Sequence, residues 1–166
     1  MIKAGILTAS DKGHAGDRID ESGKVITELL HGISAEVVDY KIVPDERDII
    51  SSNLKHMADE LDIDLILTTG GTGFSPRDIT PEATLDVIDR QVPGIPEAMR
   101  AKSLEITSRA MLSRAISGIR NRTLIINLPG SPKGVQECLE VILPVLPHAI
   151  GILKGQTGEC ARKFEL

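Results

Sequence analysis

Five residues, Leu65-Ile66-Leu67-Thr68-Thr69, constrain this chain most. They show no polar–apolar alternation, which is the pattern of a strand buried on both faces. Such a strand needs helices above and below its sheet, so it demands an α/β architecture. The flanking sequence supplies the helices. Residues 21–30 place Val25, Ile26, Leu29 and Leu30 at helical spacing, and Gly32 is expected to close the helix. Residues 48–61 align Ile50, Leu54, Met57 and Leu61 on one face. Residues 95–107 and 135–143 are also predicted to be helical, the second with Val135, Leu139 and Ile142 in phase and an interruption at Pro144. A last helix through Ile150 is expected. Thr80-Pro81-Glu82 has the order of N-cap, first-turn proline and early acid, which predicts a helix start. Further strands are predicted at 2–8, 36–43, 115–119 and 123–128, the last two as a hairpin around Arg120-Asn121-Arg122. The expected fold is a mostly parallel sheet covered by helices on both faces, with a small β-hairpin. One domain over 1–154 and a polar C-terminal tail over 155–166 complete the reading.

Composition narrows the function classes. A chain of 166 residues buries roughly 70% of its unfolded surface and needs no metal or disulfide staple. A net charge of −5 offers no basic field for a polyanion. The aromatics are Tyr40, Phe74 and Phe164 alone, so there is no platform for stacked bases and nucleic acid is not an expected partner. Cys138 and Cys160 lack CxxC spacing and predict a reducing compartment. The apolar stretch 141–153 is broken by Pro144, Pro147 and His148 and is too short to span a bilayer, so no membrane association is expected. The first strand starts at the N-terminus without a leader segment before it, and a cytoplasmic location follows as the expectation.

In open α/β sheets ligands bind beyond the carboxyl ends of the strands. Four segments follow predicted strands and should share one edge: Ser10-Asp11, Pro44-Asp45-Glu46, the run from Gly70 to Asp78, and Asn127-Leu128-Pro129-Gly130-Ser131-Pro132-Lys133-Gly134. Gly70-Gly71-Thr72-Gly73 reads either as a tight strand-to-helix turn or as a nest of N–H groups for an anion. Arg77, Asp78 and the helix start at Thr80 favour a site. Asp45 and Asp78 would supply the two carboxylates that Mg²⁺ takes beside phosphate oxygens. Equally, Asp45 is open as a cap for the following helix, and Asp78 as a partner of Arg77 or a turn acceptor. Asp11 reads as a turn former or a second ligand contact. Ser131 and Lys133 offer donors to an oxyanion. Arg114 reads as a surface residue or a phosphate ligand. Cys138 falls on the apolar face of its helix and is expected in the core.

Taken together and in this order, these segments resemble the molybdenum-cofactor biosynthesis family of MogA- and MoaB-type proteins and gephyrin-like domains. The resemblance rests on Leu67-Thr68-Thr69-Gly70-Gly71-Thr72-Gly73, Pro76-Arg77-Asp78-Ile79-Thr80-Pro81-Glu82 and Asn127-Leu128-Pro129-Gly130-Ser131-Pro132. Ser10-Asp11, Val43-Pro44-Asp45-Glu46, Met111-Leu112-Ser113-Arg114 and the 144–150 segment extend it over nearly the whole chain. It implies a three-layer α/β/α fold, a homotrimer, and Mg-ATP-dependent adenylylation of the terminal phosphate of molybdopterin with release of pyrophosphate. It also implies a transient contact with the metal-inserting enzyme. Carried over by residue, Asp45 and Asp78 become the catalytic, Mg²⁺-holding pair. Gly70, Gly71, Thr72 and Gly73 hold a substrate phosphate. Ser103, Ser113 and Asn127 fall on pterin-pocket positions, and Ser10, Asp11, Ser131 and Pro132 line the site. The alternative within the family is a MoaB-like molybdopterin-binding or scaffold protein without turnover.

Overall fold

The computed structural model describes residues 1–156. Six strands form one sheet: β1 (Ile2–Ala9), β2 (Ala35–Val43), β3 (Leu65–Thr69), β4 (Arg90–Gln91), β5 (Ser117–Arg120) and β6 (Thr123–Leu128). The helices are α1 (Asp11–His14), α2 (Glu21–Leu30), α3 (Arg47–Asp59), α4 (Thr80–Leu85), α5 (Gly94–Leu104), α6 (Pro132–Ile142) and α7 (Leu146–Leu153). The spatial order is β2-β1-β3-β6-β5-β4. The first four run parallel, and β5 and β4 extend the sheet antiparallel. β3 lies between β1 and β6 with all five residues buried, as its unbroken apolar character requires.

Strand periodicity divides the core into two layers. Ala4, Ile6, Leu65, Leu67, Leu124 and Ile126 face α2, α5, α6 and α7, where they meet Ile26, Leu30, Met99, Val135, Leu139, Leu146 and Ile150. Leu7, Ala9, Ile66 and Ile125 face the other way, against Ile50, Leu54 and Met57 of α3 and Ala83 of α4. This is the three-layer α/β/α sandwich. Each fully buried Leu or Ile contributes about 1.5–3 kcal/mol, so the core holds without a staple. On the edge strand β2, Ala4 pairs with Val37 but Gly5 with Asp39, which leaves Val38 as a bulge that interrupts a flat edge.

Several local expectations are corrected. Helix α2 does not close at Gly32; it tightens into a 3₁₀ turn (His31–Ile33), and Ser34 takes the left-handed conformation (φ 54°). Leu61 lies beyond α3 and is exposed. Thr80 is not an N-cap: Ile79 holds that position, and the Thr80 hydroxyl is buried without a hydrogen bond. The predicted helix 95–107 stops at Leu104 and is followed by a 3₁₀ turn (Ser108–Leu112). The strand expected at 115–119 is Ser117–Arg120, and its two-residue turn places Asn121 at φ 51°. The short strand β4 and helix α1 carry no periodic signal. The apolar run Pro132–Leu153 is a surface layer packed on the sheet, interrupted by a 3₁₀ turn at Leu143–Val145. Helix α7 ends in a Schellman motif: Gly155 (φ 68°) donates to Ile152 C=O at 3.0 Å and Gln156 to Gly151 C=O at 2.9 Å. Most of the expected tail, with Cys160, lies outside the described residues.

Candidate functional site

The parallel strands end in register, with Thr8 beside Thr69 and Thr69 beside Leu128. Their exits therefore share one edge, and two glycine turns meet there. Gly70 (φ 91°) and Gly71 (φ 66°) occupy the left-handed region, where L side chains are strained. A Cβ on Gly70 would collide with the Ala9 carbonyl oxygen, and one on Gly71 with the Thr80 hydroxyl. The second turn rests against the first, since a Cβ on Gly130 would lie 3.3 Å from Gly70 Cα. The Thr69 hydroxyl donates to Pro129 C=O at 2.6 Å and the Ser22 hydroxyl to Gly130 C=O at 2.8 Å, fixing that turn against β3 and α2. Ser131 then caps α6 by accepting Gly134 N–H at 3.1 Å, with Pro132 in the first helical turn.

The aspartates are held by these loops. Asp45 and Asp11 grip each other: Asp11 N–H donates to Asp45 Oδ2 at 2.9 Å, and Asp45 N–H to Asp11 Oδ1 at 3.0 Å. Asp45 does not cap α3, whose N-cap is Glu46 without a side-chain bond. Its Oδ1 lies 3.3 Å from the point a Gly71 Cβ would occupy. Arg77 takes Asp11 with two hydrogen bonds, each 3.0 Å, and Glu46 at 2.9 Å, so it is not the partner of Asp78. Asp78 is a turn acceptor: its Oδ2 receives Gly73 N–H at 3.1 Å and Ser75 N–H at 3.0 Å. Arg77 keeps the Asp11 carboxyl below the usual carboxylate range. Burial pushes Asp45 above it, and the charges of Asp11 and Asp78 add to that rise while the Asp11 N–H opposes it.

The edge opens into two clefts. A polar one of about 650 Å³ is bordered by Ser10, Asp45, Gly70, Gly71, Asp78, Ser131 and Pro132. An apolar one of about 520 Å³ is bordered by Thr72, Gly73, Met99, Ser103, Ile106, Leu112, Ser113, Ser131 and Cys138, with Arg109 and Lys133 among its cations. Ser131 belongs to both. Asp11 borders neither cleft; it contacts Asp45, which borders the polar one. Asn127 also borders neither. It is fully buried, donates to the Thr68 and Thr84 hydroxyls at 2.9 Å each, and accepts Ile116 N–H at 3.3 Å. Cys138 is buried, as expected, with its thiol pKa pushed up by burial. Among the described residues no cluster of three or more His, Cys, Asp or Glu side chains is arranged to hold a metal.

Three side chains escape sequence reasoning. Asp20 borders the polar cleft, caps α2 through Gly23 N–H at 2.9 Å, and accepts the hydroxyls of Thr8 and Tyr40. Asp20 and Tyr40 are 20 residues apart, and no local pattern joins them. Arg114 is half-buried, and its guanidinium binds the loop that carries Asp78.

A polar, carboxylate-bearing cleft and an apolar, hydroxyl-lined one, meeting at two touching turns beyond the strand ends, define an α/β protein with two adjoining clefts on one sheet edge. Comparison with known proteins makes the class particular. The chain belongs to the molybdenum-cofactor biosynthesis family, whose "Probable molybdopterin binding domain" matches residues 5–148. It is 47% identical over 93% of its length to a molybdopterin adenylyltransferase of Helicobacter pylori, covering 89% of that protein. It superposes with a TM-score of 0.90 on the molybdopterin biosynthesis enzyme MoaB from Thermus thermophilus, at 52% identity over 96% of this chain and all of that one. The tungsten cofactor synthesizing protein MoaB from Pyrococcus furiosus matches at TM-score 0.83 and 39% identity, over 93% and 96% of the two chains.

Proposed function

We propose that this chain is a molybdopterin adenylyltransferase: a terminal phosphate oxygen of molybdopterin attacks the α-phosphorus of ATP, and pyrophosphate leaves. The observation that carries the reading is the 47% identity to the Helicobacter enzyme of that name across nearly the full chain. The two-cleft geometry supports it, because the reaction joins two bound anionic substrates and its catalysis is mostly positioning and charge neutralisation. The apolar cleft suits the pterin, with Ser103 and Ser113 offering hydroxyls. The polar cleft suits the nucleotide phosphates, with the Gly70 and Gly71 turn offering N–H groups and close approach. The donor set fits Mg²⁺: Asp45 and Asp78 border one cleft, and their mutual repulsion is relieved by a cation. Bound there, Mg²⁺ supplies charge neutralisation of the nucleotide phosphates. A cytoplasmic homotrimer in transient contact with a metal-inserting enzyme belongs to the same proposal.

The test is turnover with molybdopterin, ATP and Mg²⁺, reading pyrophosphate and adenylylated pterin, beside Asp45→Ala and Asp78→Ala. Mg²⁺-dependent product in the wild type, lost in both variants, supports the transferase and the role of the pair. The family description, "Probable molybdopterin binding domain", names binding and no reaction, and makes a binder without turnover the second reading. Tight molybdopterin binding without product would select it.

A further inference from the structure

Arg114 lies on the segment before β5 and spends its guanidinium on the loop that carries Asp78. Nε donates to Gly73 C=O at 2.7 Å, Nη2 donates to Asp78 C=O at 2.9 Å, and Nη1 pairs with the Glu82 carboxylate. Its backbone N–H donates to Thr72 C=O at 2.8 Å. One residue therefore holds both ends of the loop from Gly73 to Asp78. The Asp78 carboxylate depends on that same loop, since its Oδ2 is oriented by the N–H groups of Gly73 and Ser75. Arg114 borders neither cleft, so it does not meet substrate directly.

We propose that Arg114 is a positioning residue for adenylyl transfer, setting the Gly73-to-Asp78 loop and through it the direction of the Asp78 carboxylate; this rests on the transferase reading above. A planar guanidinium serves three acceptors in different directions, whereas an ammonium is a compact point charge that cannot. Misplacement of a reacting group's support by about 1 Å costs on the order of 10²-fold in rate. Charge alone is therefore insufficient at this position, and lysine fails as a substitute.

The experiment compares wild type, Arg114→Lys, Arg114→Ala and Glu82→Gln. Arg114→Lys is expected to fold, to lose about 10- to 100-fold in kcat, and to keep its KM for molybdopterin within about twofold. Added guanidinium ion restores part of kcat in Arg114→Ala. Glu82→Gln keeps an oxygen acceptor for Nη1 and the bonds to Gly73 and Asp78, so it costs kcat less than Arg114→Lys does. Amide hydrogen exchange supplies a readout independent of turnover: Gly73 and Ser75 exchange faster in Arg114→Lys, while β3 and β6 do not. A folded Arg114→Lys with wild-type kcat overturns the proposal, as does a raised KM at constant kcat or unaltered exchange at Gly73 and Ser75. If the wild type makes no product, the transferase reading fails, and the exchange measurement still decides whether Arg114 sets the loop.

Discussion

Asn127→Ala separates a pterin contact from a packing role at one position. The family resemblance puts Asn127 in the pterin pocket, whereas its amide sits fully buried among Thr68, Thr84 and Ile116. Truncation leaves Ile116 N–H without its side-chain acceptor, and a buried unsatisfied donor costs about 1–3 kcal/mol. The two Nδ2 bonds are lost as well. The Thr84 proton is already donated to Thr80 C=O at 2.9 Å, so that hydroxyl keeps one partner and adds little. The expected destabilisation is about 2–4 kcal/mol. At roughly 2–4 °C per kcal/mol for a domain of this length, Tm falls by about 4–16 °C. Thermal unfolding by circular dichroism at fixed protein concentration measures it, because any self-association makes Tm concentration-dependent. KM for molybdopterin, taken well below the variant's Tm, should stay within about twofold of wild type. A rise in KM of about tenfold with Tm unchanged would refute the packing account and return Asn127 to the substrate.

Gly70→Ala should cost about 2–5 kcal/mol, the sum of a left-handed alanine and a clash with the immovable Ala9 carbonyl. Gly16→Ala, at φ 82° with open space around it, carries only the backbone part, about 1–2 kcal/mol; equal losses by denaturant unfolding would dismiss the close approach. Asp45→Asn should abolish turnover yet raise stability at neutral pH, because the folded state disfavours the charged carboxylate. That gain fades as pH drops below the ordinary carboxylate range, where the wild-type group is neutral in both states; a gain that grows on acidification contradicts the assignment. Ser103→Leu should fill the apolar cleft and raise KM for molybdopterin by about tenfold while leaving KM for ATP unchanged, and the reverse pattern would exchange the two clefts.

The layers of this fold are legible because burial writes itself into spacing. Ile50, Leu54 and Met57 point at the sheet from one helical face, and 65–69 reads as an interior strand without reference to anything else. Local conformations read less well where a neighbour decides them. Thr80 has the residue type of an N-cap, but Gly71 packs against its hydroxyl and the cap passes to Ile79. Leu61 keeps helical phase with Met57, yet α3 has already ended. Residue type therefore carries the core, while loop-to-loop contact overrides it at element ends.

The same distinction governs the site. The glycine turns and both aspartates announce themselves, because special backbone and turn chemistry is local. Which group each aspartate meets is not local. Sequence leaves Asp45 open between a helix cap and a ligand, and Asp78 between Arg77 and a turn; the choice is made by Asp11, 34 residues from Asp45 and 66 from Arg77. Once Asp11 takes Arg77, that guanidinium is no longer free for Asp78, whose carboxylate then turns to Gly73 and Ser75. Arg114, from the segment that leads into β5, fixes the loop in which those amides lie. Two arginines at one loop thus have separate duties. Arg77 holds Asp11 and so the Asp45 side of the polar cleft, and Arg114 holds the loop and so the Asp78 side. Neither duty follows from residue type or spacing; both follow from the spatial order of the strands, which brings their exits together.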